Sequence, residues 1–506
     1  MTAGRGSLRS EVLVATVWGL LATVISLVGS SVPAFWVDEA ASLSAARRPL
    51  ADLAGLLERI DAVHGAYYLV LHGWISAFGA SELAVRSLSA IAIGVAVAGT
   101  YVLARQLFDS SVVPSAAALI LAVLPRVTWM GLETRSFALA TAAAVWMTVA
   151  FVWAGRAGGR RWWAYAALVT VGVLFHLYVA LLVVVHALAI PWFVERTRER
   201  LHWSLAAAGG MLVAAPLVVT ALGQRGQLTQ TELSVPGFVR RAVVNQWFLG
   251  ETPGGVEAGP WLPAALMLAL AGWIAAGVGA IRLLRAPRPQ AQTGAAMLLL
   301  GWILLPTVVI GGWSLLGGSL YHPRYFGYCA PALAMLIAMG LTTIHGRFAR
   351  VALVGGLVLL VAPIYASQRM EGAKSGYDWS RVAERIAERA REGDGVYFSP
   401  SRMDDASVVR ATSRPIASAY PEPFAGLVDV TRISDPADSH LLFAGSRQLA
   451  VAGSTLDGLD TIWVVRRTDL EAAARDRDEE LLAEHGLTPT DAWSGPRTTL
   501  VRFDRR

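Results

Sequence analysis

The stretch Val12–Val32, VLVATVWGLLATVISLVGSSV, carries no charged residue and is long enough to cross a bilayer as one helix. Arg5 and Arg9 precede it, as they would a secretory leader. At roughly 20 residues the run exceeds the apolar part of a leader, and more such runs follow, so it reads as an uncleaved first span. Further apolar runs lie near 82–106, 111–128, 134–155, 162–178, 179–194, 203–222, 260–282, 295–315, 325–344 and 350–367. The stretch 162–194 is one long apolar region, divided at Phe175-His176-Leu177-Tyr178. Composition agrees: 55% of the 506 residues are apolar and 16% charged, more apolar surface than a soluble chain can bury, so the excess faces lipid. The expected fold class is mainly α, a polytopic membrane protein of about eleven spans.

The net charge of +6 is not a nucleic-acid footprint. It is almost entirely arginine, with Lys374 the single lysine, and is scattered through short loops. Cytoplasmic loops retain positive charge. With the N-terminus inside, those loops receive Arg105, then Arg156, Arg160 and Arg161, then Arg196, Arg198 and Arg200, then Arg282, Arg285 and Arg288, then Arg347 and Arg350. The other side receives segments 33–81, 125–135 and 223–259, the loop at Tyr321-His322-Pro323-Arg324, and everything after about residue 368. One cysteine, Cys329, excludes an intramolecular disulfide and any cysteine-built metal site.

After residue 370 charge density rises and apolar runs shorten, so the chain divides into a membrane domain, 1–370, and a small extracytoplasmic α/β domain, 371–506. Asp378-Trp379-Ser380 opens an amphipathic helix with Val382, Ile386 and Ala390 on one stripe, and Gly393-Asp394-Gly395 ends it before the strand Val396-Tyr397-Phe398. Thr461–Val465 and Thr498–Phe503 read as strands, with a charged helix at about 468–485 between them. No glycine-rich phosphate loop is present, because Gly393-Asp394-Gly395 closes a helix instead of opening one. The domain reads as a structural cap or an acceptor-docking module.

Asp38-Glu39 follows Phe35-Trp36-Val37 at the outer end of the first span. Aromatic residues suit a membrane interface, and acids there are either solvated helix-end charges or groups reaching a lipid head. The segment 40–80 has helical patterning without enough unbroken apolar length to span, which suits interfacial helices. It contains Asp61-Ala62-Val63-His64-Gly65-Ala66-Tyr67-Tyr68 and then Phe78-Gly79-Ala80-Ser81-Glu82-Leu83-Ala84-Val85-Arg86. Leu132-Glu133-Thr134-Arg135-Ser136-Phe137-Ala138-Leu139 and His322-Pro323-Arg324-Tyr325-Phe326 lie on the same expected side. Together, in this order, they resemble the motifs of the bacterial GT-C glycosyltransferases that include protein O-mannosyltransferases and lipid A aminoarabinose transferases, glycosyltransferase family 39. The chain departs from that pattern at Gly65-Ala66, where two prolines are usual, and at Phe137, where tyrosine is usual.

The resemblance implies a multi-pass enzyme of the bacterial cytoplasmic membrane that moves a sugar, mannose first, from a polyprenyl phosphate to an extracytoplasmic glycan, lipid or protein. Such a transfer needs a base for the attacking hydroxyl and cations for the departing phosphate. By resemblance, Asp38 is the catalytic base, with Glu39 beside it for orientation or weak metal contact. A direct inverting displacement requires only one base. Arg135, Arg324 and Tyr325 are the expected donor-phosphate group, since a guanidinium offers a planar fork to phosphate. Arg135 has the alternative of pairing with Glu133. His64, Tyr67, Tyr68, Glu133 and His322 are the expected substrate contacts. Arg86 reads as an i,i+4 partner of Glu82.

His64, His72 and His322 form no zinc spacing, so no metal residue is assigned. A divalent cation near Asp38-Glu39 is compatible with two carboxylates but not required by ligand count. Gln224, Arg225, Asn245, Gln246 and Trp247 suit either sugar binding or an ordinary interfacial loop. The competing functional classes are a transporter or flippase of lipid-linked sugars and a non-catalytic family member. A transporter calls for internal repeats and charges near the bilayer midplane, whereas here the polar motifs gather on one side.

Overall fold

The computed structural model describes residues 5–224, 233–250, 261–285, 289–318, 320–344, 346–401, 412–434 and 441–506. The expected apolar runs are helical, with 111–128 divided at Leu124 and 325–344 opening in a 3₁₀ segment, Pro323–Cys329. The first is α1 (Arg5–Leu27), followed by α2 (Val37–Ala46), α3 (Leu50–Arg59) and α4 (Gly65–Phe78). Then come α5 (Glu82–Leu107), α6 (Val113–Val123), α7 (Pro125–Met130), α8 (Phe137–Ala157), α9 (Arg161–Phe175) and α10 (Ala180–Phe193). The membrane part ends with α11 (Thr197–Gly223), α12 (Val235–Arg240), α13 (Leu262–Leu284), α14 (Pro289–Leu315), α15 (Ala330–Leu341) and α16 (Arg347–Ser367). Among the described residues seven helical stretches are long and apolar enough to cross a membrane, and four shorter apolar helices occupy the remaining expected runs. The break inside 162–194 falls at His176, whose backbone is extended between α9 and a 3₁₀ turn at Leu177–Val179.

Small residues let the spans approach closely. A Cβ on Gly94 of α5 would collide with Thr23 and the Gly19 carbonyl of α1, and one on Gly340 of α15 would meet the Ala275 carbonyl of α13. Without a hydrophobic force between helices in lipid, such close contact is what packing relies on. The expected interfacial segment 40–80 contains α2, α3 and α4, too short to span.

In the tail, α17 (Trp379–Arg389) buries Trp379, Val382, Ala383 and Ile386. It is followed by β1 (Gly395–Ser399), α18 (Pro415–Ala419), β2 (Val428–Asp429), β3 (Arg432–Ser434) and β4 (Gly445–Ser446). The remaining elements are α19 (Gly453–Leu456), β5 (Thr461–Arg467), α20 (Ala472–Glu484), β6 (Leu487–Ser494) and β7 (Thr498–Arg505). The main sheet has the order β2-β1-β5-β7-β6, parallel at β1/β2 and β1/β5 and antiparallel from β5 onward. β6 escapes sequence reading because its Pro489 and Asp491 sit on an exposed edge strand, where neither is penalised. Asp378 does not cap α17. Its Oδ2 instead accepts the backbone N–H groups of Arg497 and Thr498, tying the helix start to β7.

The α/β domain does not stand apart from the membrane part. Phe35, Trp36, Tyr67, Tyr68 and Leu71 share one apolar core with Tyr377, Trp379, Val382, Phe398 and Trp463. Tyr420 Oη accepts the Phe35 N–H at 2.9 Å and donates to Glu82 at 2.8 Å. Ser44 of α2 and Arg48, just after its end, donate to the Leu442 and Leu441 carbonyls.

Candidate active site

The first turn of α2 carries both Asp38 and Glu39, and their surroundings separate them. Glu39 is fully buried and meets Arg86 through two parallel bonds, Nε to Oε1 at 2.9 Å and Nη2 to Oε2 at 2.8 Å. Arg86 spends its other donors on the carbonyls of Ser30, Pro33 and Ala34, which form the turn leading into α2. The Thr134 N–H also points to Glu39 Oε1, at 3.0 Å. Arg86 is therefore not the partner of Glu82, contrary to the i,i+4 expectation: a carboxylate inside the fold is a better match for a guanidinium buried inside it than one facing outward. Burial would drive Glu39 toward its neutral form, but the Arg86 and Lys374 charges outweigh it and hold the carboxyl below its ordinary range.

Asp38 faces the other way. Its Oδ2 lies 2.7 Å from Arg324 Nη1, with the two side chains 11% and 7% exposed, so the pair is shielded but reachable. Arg324 is framed by aromatic rings, its Cζ 5.3 Å from the centre of Trp36, 5.7 Å from Tyr325 and 6.0 Å from Phe137. It sits in a 3₁₀ segment, Pro323–Cys329, capped by His322, whose Nδ1 accepts the Arg324 N–H at 3.4 Å.

Arg135 is not paired with Glu133. It donates to the Asp38 carbonyl at 3.2 Å, to Ser42 Oγ at 3.3 Å and to His64 Nε2 at 2.8 Å, fixing α2 against the His64 turn. Because Arg135 is the donor, His64 Nε2 must be the unprotonated nitrogen. Burial and the Arg135 charge keep this imidazole well below its usual pKa. Tyr68 donates to Asp61 Oδ2 at 2.9 Å, and Tyr67 is buried beside it. Asp61 takes a left-handed backbone conformation (φ 58°) that turns the chain into His64.

Glu133 is 1% exposed, and neither of its oxygens accepts a hydrogen bond from a described residue. Burial raises its pKa, opposed first by Lys374 and then by Arg324. Sequence reasoning assigned Lys374 no part in this site. The signal was there: one lysine in a chain that otherwise uses arginine. Its ammonium is fully buried, 4.1 Å from the ring centre of Trp129. Thus Asp38, Glu39, His64, Tyr67, Tyr68, Glu133, Arg135, His322, Arg324 and Tyr325 converge at one end of the bundle.

Gln224, Asn245, Gln246 and Trp247 are used internally. Gln224 bonds the Ala62 N–H and the Leu57 carbonyl, Gln246 accepts from Tyr321 Oη, and Trp247 donates to the Ala242 carbonyl. The Asn245 carbonyl accepts from Arg126. Arg225 lies outside the described residues. Among the described residues no three His, Cys, Asp or Glu side chains converge as a metal-ligand set. With both Glu39 oxygens on Arg86, Asp38 is the carboxylate of the pair left to face a ligand.

The His64 arrangement predicts a pH effect. Unfolded histidine binds a proton near its ordinary pKa of 6.5, whereas folded His64 does not until lower pH, so the unfolded chain binds more protons there. Stability therefore falls as pH drops below 6.5, by up to about 1.4 kcal/mol per pH unit from this group. Thermal unfolding between pH 5 and 7.5 should show a shallower slope for His64→Gln than for the wild type.

Residues 66–222 match the family model described as dolichyl-phosphate-mannose-protein mannosyltransferase. A comparison with curated proteins gives no match. Solved structures resemble the whole chain. ArnT from Cupriavidus metallidurans, bound to undecaprenyl phosphate, superposes with a TM-score of 0.54 at 14% identity, covering 96% of this chain and 97% of that one. Arabinofuranosyltransferase AftD from Mycobacteria gives 0.50 at 18% identity, over 96% of this chain and 40% of that one. The Archaeoglobus fulgidus oligosaccharyltransferase in its apo form gives 0.52 at 12% identity, over 98% and 74%. Membrane helices, α2 to α4 and the α/β domain are thus parts of one known architecture, and the chain has the GT-C glycosyltransferase fold.

Proposed function

We propose that this protein transfers a glycosyl group from a polyprenyl phosphate carrier to a hydroxyl acceptor, on the membrane face where the α/β domain lies. The observation that carries this reading is the shielded Asp38–Arg324 pair, 2.7 Å apart at the edge of the bundle. A base and a phosphate-binding cation held together and partly dry are what a direct displacement needs. Arg324 turns its fork to the donor phosphate, and the Asp38 carboxylate takes the acceptor proton as the hydroxyl attacks the anomeric carbon and the carbon–phosphate-oxygen bond breaks. Glu39 orients Asp38 through the Arg86 clamp. Arg135 holds α2 and His64 in place.

A cavity of about 970 Å³ between α6, α13, α15 and α16 gives an isoprenoid chain an apolar berth. It reaches Leu124 and Pro125, at the start of α7, and is lined by Ile120, Phe248, Leu268 and Ile337. Mannose is the first sugar to test, on the description of the family model. The arginine distribution supports a cytoplasmic N-terminus and an extracytoplasmic α/β domain in a bacterial plasma membrane. The one-sided clustering of charges favours an enzyme over a transporter, whose charges belong near the midplane.

The test is transfer of label by the purified protein in nanodiscs, given radiolabelled polyprenyl-phosphate-mannose and an envelope lipid extract. Carrier-dependent formation of a labelled product is the expected result. Binding of the donor without transfer, for every sugar tried, would sink the reading. Arg324→Lys should raise the donor KM by tenfold or more, since an ammonium cannot present the planar fork; about 1.4 kcal/mol of lost phosphate binding corresponds to that factor.

A further inference from the structure

The segment joining α16 to the α/β domain carries a charge into the site. Gln368 bonds Thr128 Oγ1 and the Pro125 carbonyl, and Arg369 bonds the carbonyls of Val28 and Ile25, so the start of the segment is pinned to α7 and to the end of α1. Ser375 (φ 54°) and Gly376 (φ 78°) then turn the chain away sharply. Lys374 lies between these anchors, its ammonium against the face of Trp129 and 5.9 Å from the ring centre of Trp36, the ring that also faces Arg324.

Among the described residues three carboxylates surround this point, and their partners differ. Glu39 has Arg86 on both oxygens. Asp38 has Arg324. Glu133 accepts no hydrogen bond from a described residue, and Lys374 stands beside its segment, since Ala373 packs on Trp129 and Leu132 and the ammonium faces Trp129; Lys374 and Arg324 both favour its charged form against burial. Arg324 therefore feels two carboxylates at once. A guanidinium drawn toward Glu133 is misaligned for Asp38 and for a phosphate, because a fork pairs along fixed directions.

We propose that Lys374 is a positioning residue: it neutralises Glu133 and thereby keeps Arg324 aligned on Asp38, where the donor phosphate is received. The inference rests on the transferase reading. It makes the tail of the chain a contributor to the site in addition to a cap over it.

The test compares wild type, Lys374→Gln, Glu133→Gln and the double variant in nanodiscs, with donor KM, kcat and thermal unfolding measured for each. Lys374→Gln is expected to raise the donor KM about tenfold while changing kcat much less, the pattern of lost donor binding. Adding Glu133→Gln should cancel that rise, so that the double variant matches Glu133→Gln alone. This comparison holds even if Lys374→Gln alone does not fold, because the double variant leaves no uncompensated buried charge. A merely structural plug would lower the folded fraction and leave the KM of the folded protein unchanged, which overturns the proposal. A double variant whose KM stays above that of Glu133→Gln overturns it as well. If wild type transfers and only the variants fail to differ, Lys374 loses its role and the transferase reading stands; if wild type neither binds nor transfers any donor, both fall.

Discussion

Asp38→Asn should lower kcat for transfer by roughly 10²–10⁴-fold while leaving the protein folded and the donor KM little changed. The substitution keeps the side chain's size and its capacity to accept from Arg324, and the α2 contacts made by the Asp38 carbonyl with Ser42 and Arg135 do not involve the side chain. Only the ability to take a proton is lost. The neighbouring carboxylates cannot substitute. Glu39 is clamped by Arg86, and Glu133 is enclosed. Initial rates over a range of acceptor concentrations, with folding checked by thermal unfolding, decide the matter; a variant with wild-type kcat would remove Asp38 from the reaction.

The largest loss of stability is expected at Arg86. Arg86→Met leaves Glu39 charged or forcibly neutralised in a site with no solvent, and strands the Ser30, Pro33 and Ala34 carbonyls that Arg86 now satisfies. Removing one member of a fully buried ion pair costs about 3–5 kcal/mol. That is a large share of the margin by which proteins of ordinary size stay folded. The unfolding temperature in detergent should drop steeply, with transfer lost alongside it. Adding Glu39→Gln should recover part of the stability, because the buried charge disappears, but not the three carbonyl bonds. If Arg86→Met unfolded at the wild-type temperature, the clamp would carry no weight.

The spans were legible because lipid imposes a single rule, unbroken apolar length, and a bundle of this kind obeys it almost everywhere. Even His176 was readable, as polar interruption between two apolar runs. The site was legible as a set of motifs but not as a set of pairs. Nothing in the order of residues says that Arg86 reaches back to Glu39 instead of along its own helix to Glu82, since the choice depends on which carboxylate the fold buries. Arg135 could be read as a phosphate ligand or as a partner of Glu133, and its real neighbours, the Asp38 carbonyl and His64, come from α2 and the turn before α4. Lys374 stood out in the sequence only as the single lysine, and its place in the site was not readable for another reason. Its significance lies in a linker folded back onto α7, and linkers carry no periodicity to read. The edge strand β6 was missed because an exposed strand tolerates the proline and aspartate that would exclude a central one.

Asp38 comes from the beginning of the chain and Lys374 from near the last quarter, and the core around them is completed by Trp379, Phe398 and Trp463. A ribosome that stalls after α16 would release a chain with all its apolar helices and none of this closure. The half-made protein would insert, yet expose Phe35, Trp36 and Tyr67 and leave its acids without their lysine. On the proposed transferase reading, synthesis order then acts as a safeguard: the acids of α2 gain their full surroundings only once the last domain has docked.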